Sequence, residues 1–232
     1  MEVDGCPLPE DRWYDIDNDV WLQPTREDPG VARLGLVASL VAFAGRFQSI
    51  QFRPIPDEIE RGRSLATVES VRYTGAVRAP VDATILERNP AIVATPKLLN
   101  NDPYAAGWIA SLRLRDPSEP ATRLQRAAAA AGPFGERIRE RRIRCYAAVP
   151  DVELYEIGLE CSAVLAQLDQ EIARIAPGEV VLLVTDDPTS PIEMVRWSDR
   201  TGHTVLGRRT EDRLEHFLVR REAHPTPRLR GA

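Results

Sequence analysis

The sequence predicts two domains of different fold class, an all-β domain followed by an α+β sandwich. The first 116 residues contain short apolar runs punctuated by Pro and Gly, a pattern typical of a small barrel or sandwich. Residues 151–221 alternate strand-like and helix-like patterns in the order βαβαββ, which predicts two helices on one face of a sheet. A chain of 232 residues with 43% hydrophobic content is long enough to bury a core in each domain.

In the first domain, residues 1–116, apolar runs predict the strands and one short helix is expected at residues 39–43. The runs that predict strands are 20–22, 32–36, 47–52, 65–68, 77 and 85–86. An Arg-rich connector is predicted over residues 117–150, with a first helical piece at 123–131 that Gly132 and Pro133 break, and a second at 136–142.

In the second domain, residues 151–221, the elements follow from alternation and capping signals. Residues 152–157 alternate like a half-buried strand, and residues 162–175 carry a helical apolar stripe. A strand at 180–184 precedes a helix that starts at a capping box, Ser190 to Glu193, and ends at Gly202. The last two strands are expected at 203–208 and 214–219, and residues 222–232 read as a flexible tail.

Composition excludes several classes of function. A formal net charge of -5 and 6% aromatic residues give no basis for nucleic-acid binding. The histidines and cysteines fit no metal spacing, no apolar run has the length of a membrane span, and the N-terminus lacks a signal-like pattern. The three cysteines are not expected to form a disulfide framework, so the sequence predicts a protein of the reducing cytoplasm that holds no metal.

Cys161 is the strongest candidate for chemistry. It follows a strand and a Gly turn and lies at the start of a helix, where free N–H groups and the helix dipole favour a thiolate. We therefore expect a lowered thiol pKa, moderated by Glu160, and a residue suited to persulfide chemistry; a buried structural cysteine is the alternative. Cys6 is either a second acceptor or a small residue of a flexible terminus, and Cys145 either resolves a persulfide on Cys161 or packs at the domain junction.

Residues 33–112 resemble the H protein of the glycine cleavage system, a lipoyl-bearing carrier. The matching pieces are Arg33-Leu34-Gly35-Leu36, Gly45-Arg46-Phe47, Val68-Glu69-Ser70-Val71, Ala79-Pro80-Val81, Leu86-Glu87-Arg88-Asn89 and residues 101–109, Asn-Asp-Pro-Tyr-Ala-Ala-Gly-Trp-Ile. The resemblance implies an all-β barrel-sandwich hybrid with its lipoyl lysine at a hairpin tip after Glu-Ser-Val. Here Arg72 occupies the lipoyl-lysine position, and a guanidinium cannot be acylated as a lysine can, so no lipoate is expected. Arg72 is either a solvated tip residue or a contact to an anionic group, and Lys97, the only lysine, is expected to be an ordinary surface residue.

Residues 152–221 resemble the TusA family of small sulfur carriers. The matching pieces are Gly158-Leu159-Glu160-Cys161, Pro177-Gly178-Glu179, residues 185–189, Thr201-Gly202-His203 and residues 216–220. The resemblance implies that Cys161 is the sulfur acceptor. This sequence departs from the family pattern directly after the cysteine, where Ser162 and Val164 replace two prolines.

Together the two resemblances predict a sulfur-relay protein with a non-lipoylated docking domain. Cys161 would take sulfane sulfur as a transient persulfide from a desulfurase or rhodanese type of donor and pass it to a protein acceptor. If the chain transfers sulfur, it acts as a sulfurtransferase-like carrier. Turnover by the chain alone is not implied, because a carrier needs a partner enzyme. The alternative is a scaffold or regulatory binding protein built from two carrier domains that have lost their transfer chemistry.

Overall fold

The computed structural model describes residues 1–227, which form two units. The division falls after Cys145, so that the first unit is Met1–Cys145 and the second begins at Tyr146. The predicted order of a β-rich domain followed by an α/β domain is confirmed.

The first unit is built from short strands. They are β1 (Glu2–Val3), β2 (Cys6–Pro7), β3 (Trp13–Asp15), β4 (Val20–Pro24), β5 (Val31–Leu36), β6 (Phe47–Phe52), β7 (Glu58–Ile59), β8 (Ser64–Ser70), β9 (Thr74–Arg78), β10 (Ala83–Arg88), β11 (Ala110–Leu114) and β12 (Gln125–Arg126). Its helices are α1 (Ala38–Ala44), α2 (Pro90–Ala94), α3 (Leu98–Asn101), α4 (Glu119–Arg123) and α5 (Ala127–Glu140).

The strands of the first unit pair antiparallel in open sheets. A seven-stranded sheet has the order β12-β3-β4-β5-β11-β10-β7, a second sheet has the order β6-β8-β9, and β1 pairs with β2. Trp21 on β4 is fully buried across its partner Gly35 on β5, and a Cβ on Gly35 would stand 2.4 Å from the Trp21 ring. The glycine in this strand therefore makes room for the largest side chain of the core.

Helix α5 lies in the predicted connector and packs on the first unit. The sequence predicts a break at Gly132 and Pro133, but the helix runs without interruption through both residues. Its buried residues include Ala130, Phe134 and Ile138, and β12 just before it pairs with β3. An interior proline removes one hydrogen bond and crowds the preceding turn, and the apolar burial along this face offsets that cost, so the helix continues.

The second unit is a four-stranded sheet with two helices. Its elements are β13 (Val152–Glu156), α6 (Cys161–Arg174), β14 (Val180–Thr185), α7 (Ser190–Thr201), β15 (Thr204–Glu211) and β16 (Leu214–Arg220). The strand order is β13-β14-β16-β15, with β13 parallel to β14 and the other pairs antiparallel. The predicted βαβαββ order is confirmed.

One face of this sheet packs against both helices around a single apolar cluster. Buried members include Val164 and Leu168 of α6, Met194 and Trp197 of α7, and Phe217 of β16. Because β13 and β14 are parallel, the segments that follow them leave the sheet at the same edge and lead into the starts of α6 and α7. This arrangement brings residues 157–161 close to residues 186–189.

Gly202 ends α7 in the left-handed conformation with φ 77°, as its predicted capping role requires. Beyond β16 the backbone N–H of Glu222 donates to His203 Nδ1 at 3.1 Å, and its carboxylate accepts from Thr204 Oγ1 and from Arg220. Residues 228–232 of the predicted tail lie outside the described residues.

Candidate functional site

Cys161 is the first residue of α6, as the sequence predicts, and its side chain is half-buried. The approach to the helix is fixed by Gly158, whose φ of 76° lies in the left-handed region and whose N–H donates to Asp186 Oδ1 at 2.7 Å. Glu160 is the N-cap residue but makes no side-chain capping hydrogen bond. The thiol thus stands at a helix start that is anchored to the loop after β14.

The loop before α7 completes the surroundings of the thiol. Asp187 Oδ1 accepts the backbone N–H of Thr189 at 2.7 Å and its hydroxyl at 2.6 Å. The Thr189 side chain also makes a hydrogen bond with the Cys161 thiol, and the Cys161 backbone N–H makes one with Asp187. The Asp186-Asp187 pair therefore organises the two helix starts.

The pKa of the Cys161 thiol is raised above its ordinary value. Burial is the largest cause, and the negative charges of Asp187 and Glu193 add to it, whereas the hydrogen bond with Thr189 lowers the pKa. The sequence-based expectation of a lowered pKa is therefore wrong. The positive end of α6 is present, but desolvation and two carboxylates contributed by a distant part of the chain outweigh it.

Removing the charge of Asp187 is expected to make Cys161 more reactive. Asn at this position can still accept from Thr189, so Asp187→Asn removes the charge and keeps an acceptor, and the thiol pKa falls. We expect the rate of alkylation at neutral pH to rise severalfold and its pH profile to move from the alkaline side of an ordinary cysteine toward lower pH. The measurement is the iodoacetamide rate against pH by mass spectrometry, with Asp199→Asn at the far end of α7 as the charge-matched control. An unchanged profile would contradict the assigned cause.

Exposed apolar side chains lie on the segments that lead into the thiol and on the helix beside it. They are 41–62% exposed and comprise Tyr155, Ile157, Leu159, Ile192 and Val195. Large apolar residues exposed together on a small domain are typical of a surface that meets another protein. Exposed apolar side chains therefore lie on the segment that precedes the thiol and on the neighbouring helix α7.

Arg72 lies at the tip of the β8–β9 hairpin, where its side chain folds back onto the end of α1. Its Nε donates to the carbonyl of Phe43 at 3.2 Å and its Nη2 to that of Ala42 at 3.4 Å. Ser70 Oγ donates to the carbonyl of Ala44 at 2.7 Å. A cation on these terminal carbonyls complements the helix dipole, so Arg72 fastens the hairpin to α1. Arg72 is thus an exposed tip residue whose side chain also contacts α1, and the contact to an anionic group stays a prediction.

The side chain of Arg72 can approach so closely because the residue after α1 is a glycine. Gly45 has φ 72°, and a Cβ there would lie 3.0 to 3.2 Å from the Arg72 guanidinium. At the tip Val71 is 87% exposed. Lys97 is the N-cap residue of α3, outside this hairpin.

Cys6 and Cys145 form a disulfide, with their Cα atoms 5.0 Å apart. The expectation of no disulfide is therefore wrong. Cys6 is neither a free acceptor nor part of a loose terminus, since β2 holds it and only 2% of it is exposed. Cys145 is oxidised in this bond and packs against an apolar cluster at the end of the first unit, and Cys161 is the free cysteine of the described residues.

The described residues contain neither a candidate metal-binding group nor a candidate membrane-spanning helix. Within residues 1–227, no group of histidine, cysteine and acidic side chains is placed to hold a metal ion. No helix in the same range is both long enough and apolar enough to cross a membrane.

A β-rich unit with a carrier-type hairpin and a small sandwich with a thiol at its first helix define a two-domain protein of the carrier class. The family model described as glycine cleavage H-protein matches residues 12–134, and the model described as sulfurtransferase TusA matches residues 156–221. The chain belongs to the glycine cleavage H-protein family and carries a TusA-type domain after it.

The relatives found by sequence include glycine cleavage system H proteins. Glycine cleavage system H protein 5 of Aquifex aeolicus is 36% identical over 62% of this chain and 98% of that protein. Probable glycine cleavage system H protein 2 of Sulfurisphaera tokodaii is 31% identical over 62% of this chain and 96% of that protein. A crystal structure of a glycine cleavage system H protein from Mycobacterium marinum is 29% identical, covers 55% of this chain and 99% of that one, and has a TM-score of 0.48.

Proposed function

We propose that this chain is a sulfur carrier that receives sulfane sulfur on Cys161 as a persulfide and passes it to a protein acceptor. The observation that carries the proposal is the free, half-buried thiol at the start of α6 with exposed apolar side chains on the segments around it. In the loading step the Cys161 thiolate attacks the outer sulfur of a donor persulfide, and the donor leaves as a thiolate. The acceptor reverses this step by attacking the outer sulfur on Cys161.

The raised thiol pKa fits a carrier better than a free-standing catalyst. A thiol that is mainly protonated reacts slowly with small electrophiles in solution, since the thiolate is the nucleophile. A docked partner that brings positive charge to Asp187 and Glu193 would offset the two carboxylates and lower the pKa at the moment of transfer. We propose a persulfide-bearing protein, of the desulfurase or rhodanese type, as this donor.

The proposal is tested by the intact mass of the protein, with its Cys6–Cys145 disulfide intact, after incubation with a persulfide-loaded donor. The parent chain should gain the mass of one sulfur atom, and peptide mapping should place it at Cys161. Cys161→Ala should gain none. A parent chain that gains no sulfur would overturn the proposal.

A scaffold or regulatory binding protein is the second candidate, and the position of Arg72 favours it. The side chain that replaces the lipoyl lysine is bound to α1 carbonyls, so the hairpin no longer presents a swinging arm. In the same direction, Ser162 and Val164 replace the prolines expected after Cys161. Failure of the parent chain to load sulfur would select this candidate.

We propose further that the first unit carries no lipoate. Arg72 cannot take the acyl group, and Lys97 at the start of α3 is not on the hairpin. Incubation with a lipoate ligase should leave the mass of the parent chain unchanged, and Arg72→Lys tests whether the hairpin still presents an acceptor lysine. Lipoylation at Lys97 in the parent chain would contradict this part. We also propose that the protein works in the reducing cytoplasm, where the Cys6–Cys145 disulfide would be transient rather than permanent.

A further inference from the structure

The first unit holds a pair of cysteines that the proposed loading step does not use. Cys6 on β2 and Cys145 after α5 are 139 residues apart in sequence and joined in the structure. Cys6 is buried, whereas Cys145 is half-buried and lies at the end of the unit. One sulfur is therefore more accessible than the other, which is the asymmetry of a pair in which one thiol attacks and the second resolves.

Contacts other than the S–S bond hold the two cysteines together. Cys6 packs in an apolar cluster with Ile138 and Ile143, and Cys145 lies against the same cluster. Ile143 is also fixed by its backbone N–H, which donates to the carbonyl of Ile138 at 2.9 Å.

The hairpin that carries Cys6 has anchors of its own. At its turn, Asp4 accepts from Arg139 Nη1 at 2.9 Å. At the end of its second strand, Tyr104 Oη donates to the carbonyl of Pro7 at 2.8 Å, and the next residue, Leu8, is buried. Reduction would therefore leave the two thiols facing each other, so that the bond can open and close without rebuilding the fold.

We propose that Cys6 and Cys145 are a two-electron donor that releases the sulfur of a persulfide as sulfide. The Cys145 thiolate attacks the outer sulfur of the Cys161 persulfide, the S–S bond to Cys161 breaks, and Cys161 leaves as a thiolate. Cys6 then attacks Cys145 Sγ, the disulfide forms, and hydrosulfide departs. The two thiols lose two electrons, the sulfane sulfur gains them, and the products are one disulfide, one Cys161 thiol and one hydrogen sulfide.

The structure holds the pair in the oxidised form, which is the product state of this reaction. A dithiol reductant returns it to the reduced form for the next cycle. The inference rests on the proposed function, because the persulfide on Cys161 is the substrate of the pair. Under this inference the first unit carries out dithiol–disulfide chemistry, although Arg72 replaces the lysine that would carry lipoate.

The test starts from the reduced chain, freed of reductant and then loaded with a persulfide donor that is removed. Sulfide release and the formation of the Cys6–Cys145 disulfide are followed together. The parent chain should release one sulfide for each disulfide formed. Cys6→Ser should instead accumulate a persulfide on Cys145 and release no sulfide, because the resolving thiol is absent.

The double variant Cys6→Ser/Cys145→Ser separates the two proposals. It should still load sulfur on Cys161, which tests the proposed function alone and shows that the second unit is folded, but it should lose sulfide release. Sulfide release from this variant at the parent rate, or release from the parent without disulfide formation, would overturn the inference. Failure of every variant to load Cys161 would overturn the proposed function instead.

Discussion

Replacing both Cys6 and Cys145 with serine is expected to lower the free energy of unfolding of the first unit by about 3–5 kcal/mol. The disulfide closes a loop of nearly the whole unit, since its cysteines are 139 residues apart. A cross-link over a long loop removes many conformations from the unfolded chain, and the stabilisation increases with loop length. The measurement is denaturant unfolding of the variant and the parent, with hydrogen exchange by mass spectrometry to assign the change to residues 1–145.

The matched control for this prediction is Cys161→Ser. It makes the same Cys-to-Ser change once, at a half-buried position in the other unit where no cross-link is lost, and its effect should stay within about 0.5 kcal/mol. Exchange in the second unit should be unchanged in the double variant. A double variant as stable as the parent would mean that the S–S bond does not constrain the unfolded chain as the loop length predicts.

The stability prediction and the proposed redox role are compatible. Anchors such as the ion pair between Arg139 and Asp4 keep Cys6 in place without the bond, so the reduced unit is less stable yet still folded. A bond that stabilises the fold by several kcal/mol also makes oxidation of the pair favourable, since stability and reduction potential are linked. The favourable oxidation supplies the driving force for expelling sulfide.

The second unit was predicted closely because its periodicities are clear. A strand at 180–184 and a helix at 162–175 correspond to β14 and α6 within one residue at each end, and Gly202 caps α7. Each of these elements is determined by local pattern, namely an apolar run, a helical stripe and a terminal glycine. The start of α7 was less exact, since Thr189 rather than Ser190 is the N-cap residue.

The sequence predicted the position of Cys161 at a helix start, but it did not predict the environment of the thiol. The Gly turn placed Cys161 at a helix start, but the sign of its pKa shift depends on Asp187 and Glu193, which the tertiary structure brings near. One signal could have found them: the parallel pair β13 and β14 ends at a common edge, where the loops after both strands meet. The Cys6–Cys145 bond had no comparable signal, because three cysteines at unequal spacing do not specify a pair.

Phe134→Ala is expected to destabilise the first unit by about 3–5 kcal/mol, although Phe134 lies in the segment predicted to be a connector. The side chain is buried and packs edge-on against Tyr14 with ring centroids 6.0 Å apart. It also lies beneath the guanidinium of Arg137, which pairs with Asp19 at 2.5 Å. Truncation would leave a cavity between α5 and the sheet, and the loss is measured by denaturant unfolding.

Helix α5 is held to the first unit by such contacts. The run of alanines and the Gly-Pro pair favoured a broken connector in the sequence, so these contacts were not predicted. An Ala-rich, Arg-rich stretch is typical of a solvated segment, yet Ala130 is fully buried. At Gly135 an added Cβ would lie 3.2 Å from the Val3 side chain, so Val3 packs closely against the helix. Glu136→Ala on the exposed side of the helix is the control, with an expected change within about 0.5 kcal/mol. A Phe134→Ala protein as stable as this control would show that α5 is a connector after all, since only a helix detached from the core can lose a buried ring without cost.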